Sequence, residues 1–409
     1  MNLKLEQISR VGNNTLQITG SKSESNRLLI LQALYPNINI ENLSNSDDSE
    51  LMQKALQSKE TVVDIHHAGT AMRFLTAYFS VKEGRETILT GSKRMQERPI
   101  KILVDALREL GCNITYEKED GYPPIKIHGE QPNSSSVSLK ANVSSQYISA
   151  LMLIASSLPD GLEISLEGKV TSVPYINMTV SLLKDAGVKS SFVNNVIKVE
   201  SGAEVSPKNI VVESDWSSVS YFYSIVALSE NATITIGSYK KQSYQGDSSL
   251  AEIYKYLGVE TTFNENTITL SKVPNSSNKL PDGLDLSNSP DIAQTIAVTC
   301  FGLGVSCYLT GLHTLKIKET DRLEALKTEI EKLGGQVDIT EDSLRLGANT
   351  LIKKDVTIQT YNDHRMAMAF APLALRASLC IEDAGVVSKS YPDFWKDLGM
   401  LGFSMIEEE

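Results

Sequence analysis

The sequence predicts an α/β protein of two similar domains, each built from three repeated α/β units. Three observations carry this reading. An amphipathic helix that ends in an apolar residue plus glycine, followed by a short strand, recurs at 102–117, 179–193, 249–263, 322–340 and 394–408. The glycines of these copies, Gly111, Gly187, Gly258, Gly334 and Gly402, are spaced by 76, 71, 76 and 68 residues. Near-equal spacing over five copies is the mark of a true repeat. Finally, 409 residues exceed one ordinary core, and six such units fill the length.

Each element follows from local chemistry. The five glycines are expected at C′ positions, where a left-handed residue ends the helix without a Cβ clash. A sixth, weaker unit is the helix at 48–57 with the strand at 61–65. Segments rich in Ser, Asn and Pro, at 131–136 and 274–278, read as loops within the repeat.

Composition narrows the function. With 41% hydrophobic and 22% charged residues the chain belongs to the soluble globular class. A net charge of −11 argues against a nucleic-acid or anionic-membrane partner. Cys112, Cys300, Cys307 and Cys380 lack metal-ligand spacing and read as reduced, so no metal site is expected. No apolar run has the length of a signal or membrane span, which reads as a cytoplasmic protein.

Against this acidic background, cations and hydroxyls gather at helix starts. Gly20-Ser21-Lys22-Ser23-Glu24-Ser25-Asn26-Arg27 places two cations and three serines between a strand and a helix. That arrangement points free backbone N–H groups at an anion. Comparable turns are 67–73 with Gly69 and Arg73, 89–99 with Arg94 and Arg98, and 142–147 with Ser144, Ser145 and Gln146. Others are 171–175 with Ser172 and Tyr175, 289–291 with Asp291, and 318–322 with Lys318, Glu319 and Arg322. In the segment 361–368, His364 and Arg365 stand at a helix N-terminus, where cations oppose the macrodipole and a bound anion would relieve them. Taken singly, each segment also fits an ordinary capped helix or a local ion-pair network. Jointly they suggest a site for multiply anionic ligands. No P-loop, dinucleotide fingerprint or nucleophile elbow is present.

These segments, in this order, resemble the 3-phosphoshikimate 1-carboxyvinyltransferase (5-enolpyruvylshikimate-3-phosphate synthase) family. The matching stretches are GSKSESNR (20–27), AGTAMR (68–73), LTGSKRMQERPI (89–100), SSQY (144–147), SVPYI (172–176), SPD (289–291), IKETDR (317–322), NDHRMAM (362–368) and KSYPDF (389–394). The resemblance implies the enolpyruvyl transferase fold, an inside-out α/β barrel of two domains, each with three β-α-β-α-β-β units. It implies one domain at 21–212 and a discontinuous one at 1–20 with 213–409. It also implies a substrate cleft between them that closes on binding.

The implied reaction transfers the enolpyruvyl group of phosphoenolpyruvate to the 5-hydroxyl of shikimate 3-phosphate, without a cofactor, and serves aromatic amino acid biosynthesis through chorismate. By resemblance Lys22, Asp291, Glu319 and His364 are the catalytic candidates, with Asp291 at the substrate hydroxyl. Lys22, Ser23, Arg27, Ser144, Ser145, Gln146, Ser172, Tyr175, Asp291 and Lys318 match the shikimate 3-phosphate site. Lys22, Gly69, Arg94, Gln146, Arg322, Arg365 and Lys389 match the phosphoenolpyruvate site. The cations Lys22, Arg94, Lys318, Arg322, Arg365 and Lys389 would balance two phosphates and two carboxylates. The resemblance further implies a monomer and inhibition by glyphosate, for which Gly69 leaves room.

Two positions depart from the family pattern: His67 stands where Asn is common, and Phe74 where Pro is common. The bulk of Phe74 is expected to bear on Gly69 and Thr70. A sister family acting on UDP-N-acetylglucosamine carries a Cys in the loop matching 92–98, and this chain has none there. That family and a non-catalytic anion-binding relative are the alternatives.

Overall fold

The computed structural model describes all residues except 141–143, 169, 171–172, 203–204, 349–350 and 409. The chain forms two compact units. One comprises Met1–Thr19 with Glu213–Glu409, and the other Gly20–Val212.

One strand topology recurs in both units. The strand Val62–Asp64 runs parallel to Glu86–Thr90, which pairs antiparallel with Ile125–His128, and Asn113–Tyr116 forms the edge. The first strand reaches the second through the helix Gly69–Ser80, and the second reaches the third through Lys101–Glu109. This is the β-α-β-α-β-β unit, with strands in the spatial order first, second, fourth, third. The strands at 136–140, 162–167, 190–193 and 196–199 repeat it in the same unit. In the discontinuous unit it recurs in the sheet of Leu284–Asp285, Cys307–Thr310, Val337–Ile339 and Leu344–Leu346.

The remaining sheets show how the repeat accommodates the ends and crossings of the chain. The N-terminal strand Asn2–Leu5 takes the fourth position beside Val356–Ile358, Leu379–Ile381 and Met405–Glu408. The strand Asn14–Leu16 pairs parallel with Thr233–Gly237, although the whole second unit intervenes in sequence. Lys208–Val211 pairs parallel with Ile38–Glu41 in a sheet of two strands among the described residues. Among the described residues the sixth repeat therefore shows no terminal hairpin. The stretch at 61–65, expected to complete it, instead supplies the first strand of the next sheet.

The five repeat glycines have positive φ: 100° at Gly111, 93° at Gly187, 75° at Gly258, 102° at Gly334 and 93° at Gly402. A Cβ at these positions would be strained, so the spacing seen in the sequence reflects a backbone requirement at each helix end.

The helices joining the first and second strands are buried almost all round. Every residue of Gly69–Ser80 is buried, as is every residue of Trp216–Leu228 except Ser217. A helix with mostly apolar residues on every side belongs in a core. In one unit the helices Lys22–Leu34, Gly69–Ser80 and Ser145–Ala155 pack together. In the other, Trp216–Leu228, Ala293–Leu303 and His364–Phe370 do so. Buried hydroxyls stitch them: Ser220 Oγ lies 2.9 Å from Thr295 Oγ1, and Thr299 donates to Ser224 Oγ at 2.8 Å. Helices inside and sheets around them match the fold implied by the resemblance. The N-termini of these inner helices carry most of the polar turns picked out in the sequence.

Candidate active site

The discontinuous unit concentrates charge around Arg322, the first residue of the helix Arg322–Lys332. Asp321 caps that helix, accepting from the backbone N–H of Leu323 at 3.1 Å and of Glu324 at 3.2 Å. The arginine side chain is 2% exposed and spends its donors on carboxylates. Nε donates to Asp363 Oδ2 at 2.6 Å, one terminal nitrogen to Asp291 Oδ1 at 3.0 Å, and the other to Glu319 Oε2 at 2.8 Å. Burial alone would lower the Arg322 pKa, but Asp363 and Glu319 more than reverse that and raise it.

Asp291 is the hub. Lys318 Nζ lies 3.4 Å from its Oδ1 and an Arg365 terminal nitrogen 3.6 Å from its Oδ2. Arg365 also donates to the Asp291 carbonyl at 3.1 Å. The side chain is 12% exposed and is faced by three cations, Lys318, Arg322 and Arg365. Arg365 therefore does not stand uncompensated at its helix N-terminus. Asp363 caps the short helix, accepting from the Arg365 N–H at 2.9 Å, and Asp291 neutralises the guanidinium.

Four other residues complete this cluster. Arg365 donates to Ser217 Oγ at 3.3 Å, and Ser217 donates to Asp247 Oδ2. Burial and the nearby Asp291 carboxylate push the Asp247 pKa up to about 7. His364 is buried, with Nδ1 3.7 Å from Asp363 Oδ1. Lys389 Nζ donates to the Asn362 carbonyl at 2.6 Å.

The Asp247 shift has a sign that can be tested. Its folded pKa exceeds the unfolded one, so the native state retains a proton that the unfolded chain releases above about pH 4. Stability is expected to fall as pH rises from about 4 to 7 on this account. Asp247→Asn should flatten that dependence and raise the melting temperature at pH 8 relative to the parent. Parallel pH profiles for the two proteins would refute it.

The continuous unit holds a second constellation. Arg27 is buried and donates to Thr179 Oγ1 at 2.8 Å, the Ser23 carbonyl at 2.8 Å and Ser149 Oγ at 2.9 Å. Its guanidinium sits 5.3 Å from the Phe74 ring centroid and 5.9 Å from that of Tyr175. Burial against these neutral partners pushes its pKa down to about 10. It stays cationic at neutral pH, and the desolvated charge favours an arriving anion.

Gly69 is the other focus of this unit. A Cβ there would lie 2.6 Å from a terminal nitrogen of Arg98. The loop carrying Arg98 is pinned at the Pro99 carbonyl, which accepts from Tyr147 Oη at 2.7 Å and from Arg73 at 3.1 Å. Gln146 Nε2 donates to Thr70 Oγ1 at 3.3 Å. Ser144 caps the helix Ser145–Ala155 through the Gln146 N–H at 3.4 Å.

Several sequence expectations find their place here. Asp291, Lys318, Glu319, Arg322 and Arg365 converge, with His364 and Lys389 joined to them through Asp363 and Asn362. Ser23, Arg27 and Tyr175 form a second group, and Gly69 and Gln146 flank Thr70. Lys22 opens the helix Lys22–Leu34 and is half-buried. Ser145 is buried. Ser172 and the start of the 142–147 turn lie outside the described residues.

Arg94 does not join Gly69. Its side chain is 62% exposed and pairs with Glu97 at 3.3 Å, while Arg98, four residues on, occupies that place. Both arginines stand in one polar loop, and nothing in their spacing says which turns toward the glycine. Phe74, the residue expected to bear on Gly69 and Thr70, is 1% exposed. It lies in the core beneath Arg27. Asp363, Ser149, Thr179, Ser217 and Asp247 were not singled out by sequence reasoning. Asp363 lay within a recognised segment, and the others carry no local signal.

Among the described residues, no group of three or more His, Cys, Asp or Glu is placed to hold a metal ion, and no helix is long and apolar enough to cross a membrane.

The comparisons with known proteins agree with one another. The family model for EPSP synthase (3-phosphoshikimate 1-carboxyvinyltransferase) matches residues 53–398. A 3-phosphoshikimate 1-carboxyvinyltransferase of Bacteroides fragilis strain YCH46 is 47% identical, with 96% of each chain covered. One from Histophilus somni strain 2336 is 36% identical over 97% of this chain and 98% of its own. Among solved structures, an EPSP synthase from Acinetobacter baumannii superposes with a TM-score of 0.80 at 19% identity, covering 99% of this chain and all of that one. The enolpyruvyl transferase NikO from Streptomyces tendae gives 0.73 at 15% identity, covering 99% and 98%. At such identities the structural likeness speaks for the fold alone. The sequence matches, nearly full-length and specific, show that the chain belongs to the EPSP synthase (3-phosphoshikimate 1-carboxyvinyltransferase) family.

Proposed function

We propose that the chain transfers the carboxyvinyl group of phosphoenolpyruvate to the 5-hydroxyl of shikimate 3-phosphate and releases phosphate. Membership of the family makes it a transferase of the shikimate pathway acting on small molecules. The observation that carries the residue assignments is the cluster around Asp291: one carboxylate facing Lys318, Arg322 and Arg365, beside a second carboxylate, Glu319.

The chemistry asks for what such a cluster supplies. The hydroxyl oxygen adds to C2 of the enol while its proton leaves and C3 gains one. The tetrahedral intermediate then loses a C3 proton and expels phosphate. We assign Asp291 to the hydroxyl proton, and Glu319 with Lys22 to the C3 proton and the departing phosphate. His364 sits behind the cluster, beside Asp363. Lys22, Gly69, Arg94, Arg322, Arg365 and Lys389 are assigned to the phosphoenolpyruvate anions, with Arg98 added beside Gly69. Arg27, Ser23 and Tyr175 take the shikimate carboxylate and ring, and Ser144, Ser145, Ser172 and Lys318 the 3-phosphate, with Gln146 serving both substrates. Fixed donors aimed at developing charge are the usual source of such catalysis.

The cation balance is tighter than a sum of lysines and arginines suggests. Asp291, Glu319 and Asp363 already neutralise much of Arg322 and Arg365. Each anion thus competes with a resident carboxylate, which favours ligands with two charges held at once.

Binding distinguishes this reading from its alternatives. Shikimate 3-phosphate should raise the melting temperature, and phosphoenolpyruvate should raise it further. Stabilisation by UDP-N-acetylglucosamine alone would favour the sister activity, and stabilisation without turnover a non-catalytic binder. We take the protein to be a cytoplasmic monomer.

Gly69 yields a sharper prediction. Gly69→Ala puts a methyl within 2.6 Å of Arg98, whose side chain must move away. The KM for phosphoenolpyruvate should rise about tenfold or more, with that for shikimate 3-phosphate nearly unchanged. Glyphosate should compete with phosphoenolpyruvate at micromolar levels in the parent and more weakly in the variant. An unchanged KM would remove Arg98 from the site.

A further inference from the structure

Two consecutive non-glycine residues, Tyr361 and Asn362, have left-handed backbones, with φ of 54° and 56°. Such conformations are costly for residues with a Cβ and persist only where the surroundings hold them. These two stand immediately before Asp363, whose carboxylate receives Arg322 Nε and caps the helix bearing Arg365. The carbonyl between them and Asp363, that of Asn362, accepts from Lys389. One strained turn thus sets the position of three cations.

What holds the turn is a second carboxylate, on the helix that Arg322 opens. Glu329 sits two turns along the Arg322 helix and is fully buried. Its Oε1 accepts from Tyr361 Oη at 2.6 Å, and its Oε2 from the Gln359 N–H at 3.3 Å. Lys332 Nζ lies 2.8 Å and 2.9 Å from the two oxygens. The tyrosine stays a neutral donor, because burial and the adjacent carboxylate raise its pKa. The helix therefore grips the turn twice: at its start through Arg322 and Asp363, and two turns later through Glu329 and Tyr361. A hydrogen bond to a buried charged acceptor is among the stronger kinds available.

We propose that the Tyr361–Glu329 hydrogen bond is a positioning device for the phosphoenolpyruvate half of the site. It holds the left-handed turn that aims Asp363 at Arg322 and the Asn362 carbonyl at Lys389. Neither residue touches substrate. The inference rests on the reaction proposed above, and it adds residues that none of the recognised segments singled out for function.

The test is steady-state kinetics on Tyr361→Phe, which removes one hydroxyl and keeps the ring. The KM for phosphoenolpyruvate should rise roughly tenfold, while the KM for shikimate 3-phosphate stays within about twofold. The discriminating variant is Tyr361→Phe combined with Asn362→Gly. Glycine adopts positive φ without penalty and keeps the backbone carbonyl that Lys389 needs. It should return the phosphoenolpyruvate KM most of the way to the parent value. A general loss of packing would not be repaired by a further truncation. An unchanged KM in Tyr361→Phe, or equal rises for both substrates, or no rescue by glycine, would overturn the proposal. Each of those results presupposes a parent that turns over both substrates; a parent that turns over neither would instead refute the underlying reaction.

Discussion

Replacing Asp291 with asparagine is expected to lower kcat by about a hundred- to ten-thousandfold, the range associated with loss of a positioned acid or base. The variant keeps the shape that meets Arg322 at 3.0 Å and Lys318 at 3.4 Å, so the cluster can remain assembled. It loses the basic oxygen that would take the hydroxyl proton. Shikimate 3-phosphate should still raise the melting temperature of the variant, which separates loss of chemistry from loss of binding. A kcat within tenfold of the parent would move the base elsewhere, with Glu319 the next candidate.

The second large effect concerns stability. Arg322→Met should destabilise the discontinuous unit by about 3–5 kcal/mol, because Asp363 is left as a buried carboxylate, and Asp291 and Glu319 as partly buried ones, without their cation. A fall in melting temperature on the order of 10 °C corresponds to that loss. The arginine itself is not the stabilising element, since an ion pair of this kind must first offset the desolvation of both partners. Adding Asp363→Asn should therefore recover part of the loss, although activity stays absent in both proteins. A single variant that melts within about 2 °C of the parent would show that water or neighbouring lysines compensate the carboxylates.

How much of this could be read from the sequence depends on the range of each interaction. The repeat was legible because Gly111, Gly187, Gly258, Gly334 and Gly402 each meet a local backbone need, a left-handed residue at a helix end. Local needs leave local marks. The inner helices were visible as apolar runs bounded by polar turns, and those turns hold Asp291 and Arg365. That the sixth repeat shows no terminal hairpin among the described residues was not visible. It depends on which strand completes which sheet, and Val62–Asp64 has the same alternation in either role.

The site shows the same division. Residues within one segment were found together, as with Lys318, Glu319 and Arg322. Partners distant in sequence were not. Asp247 reaches Arg365 through Ser217, 30 and 148 residues from its two neighbours in that chain of contacts. Thr179 and Ser149 meet Arg27 from 152 and 122 residues away. The placement of Arg98 beside Gly69 was likewise out of reach, because the clamp at Pro99 next to it draws on Arg73 and Tyr147 from two other helices.

The measurement that bears most directly on the central claim is phosphate release from phosphoenolpyruvate, with and without shikimate 3-phosphate, in the presence of a chelator. The account predicts release that requires both substrates and survives chelation. Release without shikimate 3-phosphate, or none with both substrates present and bound, would contradict it.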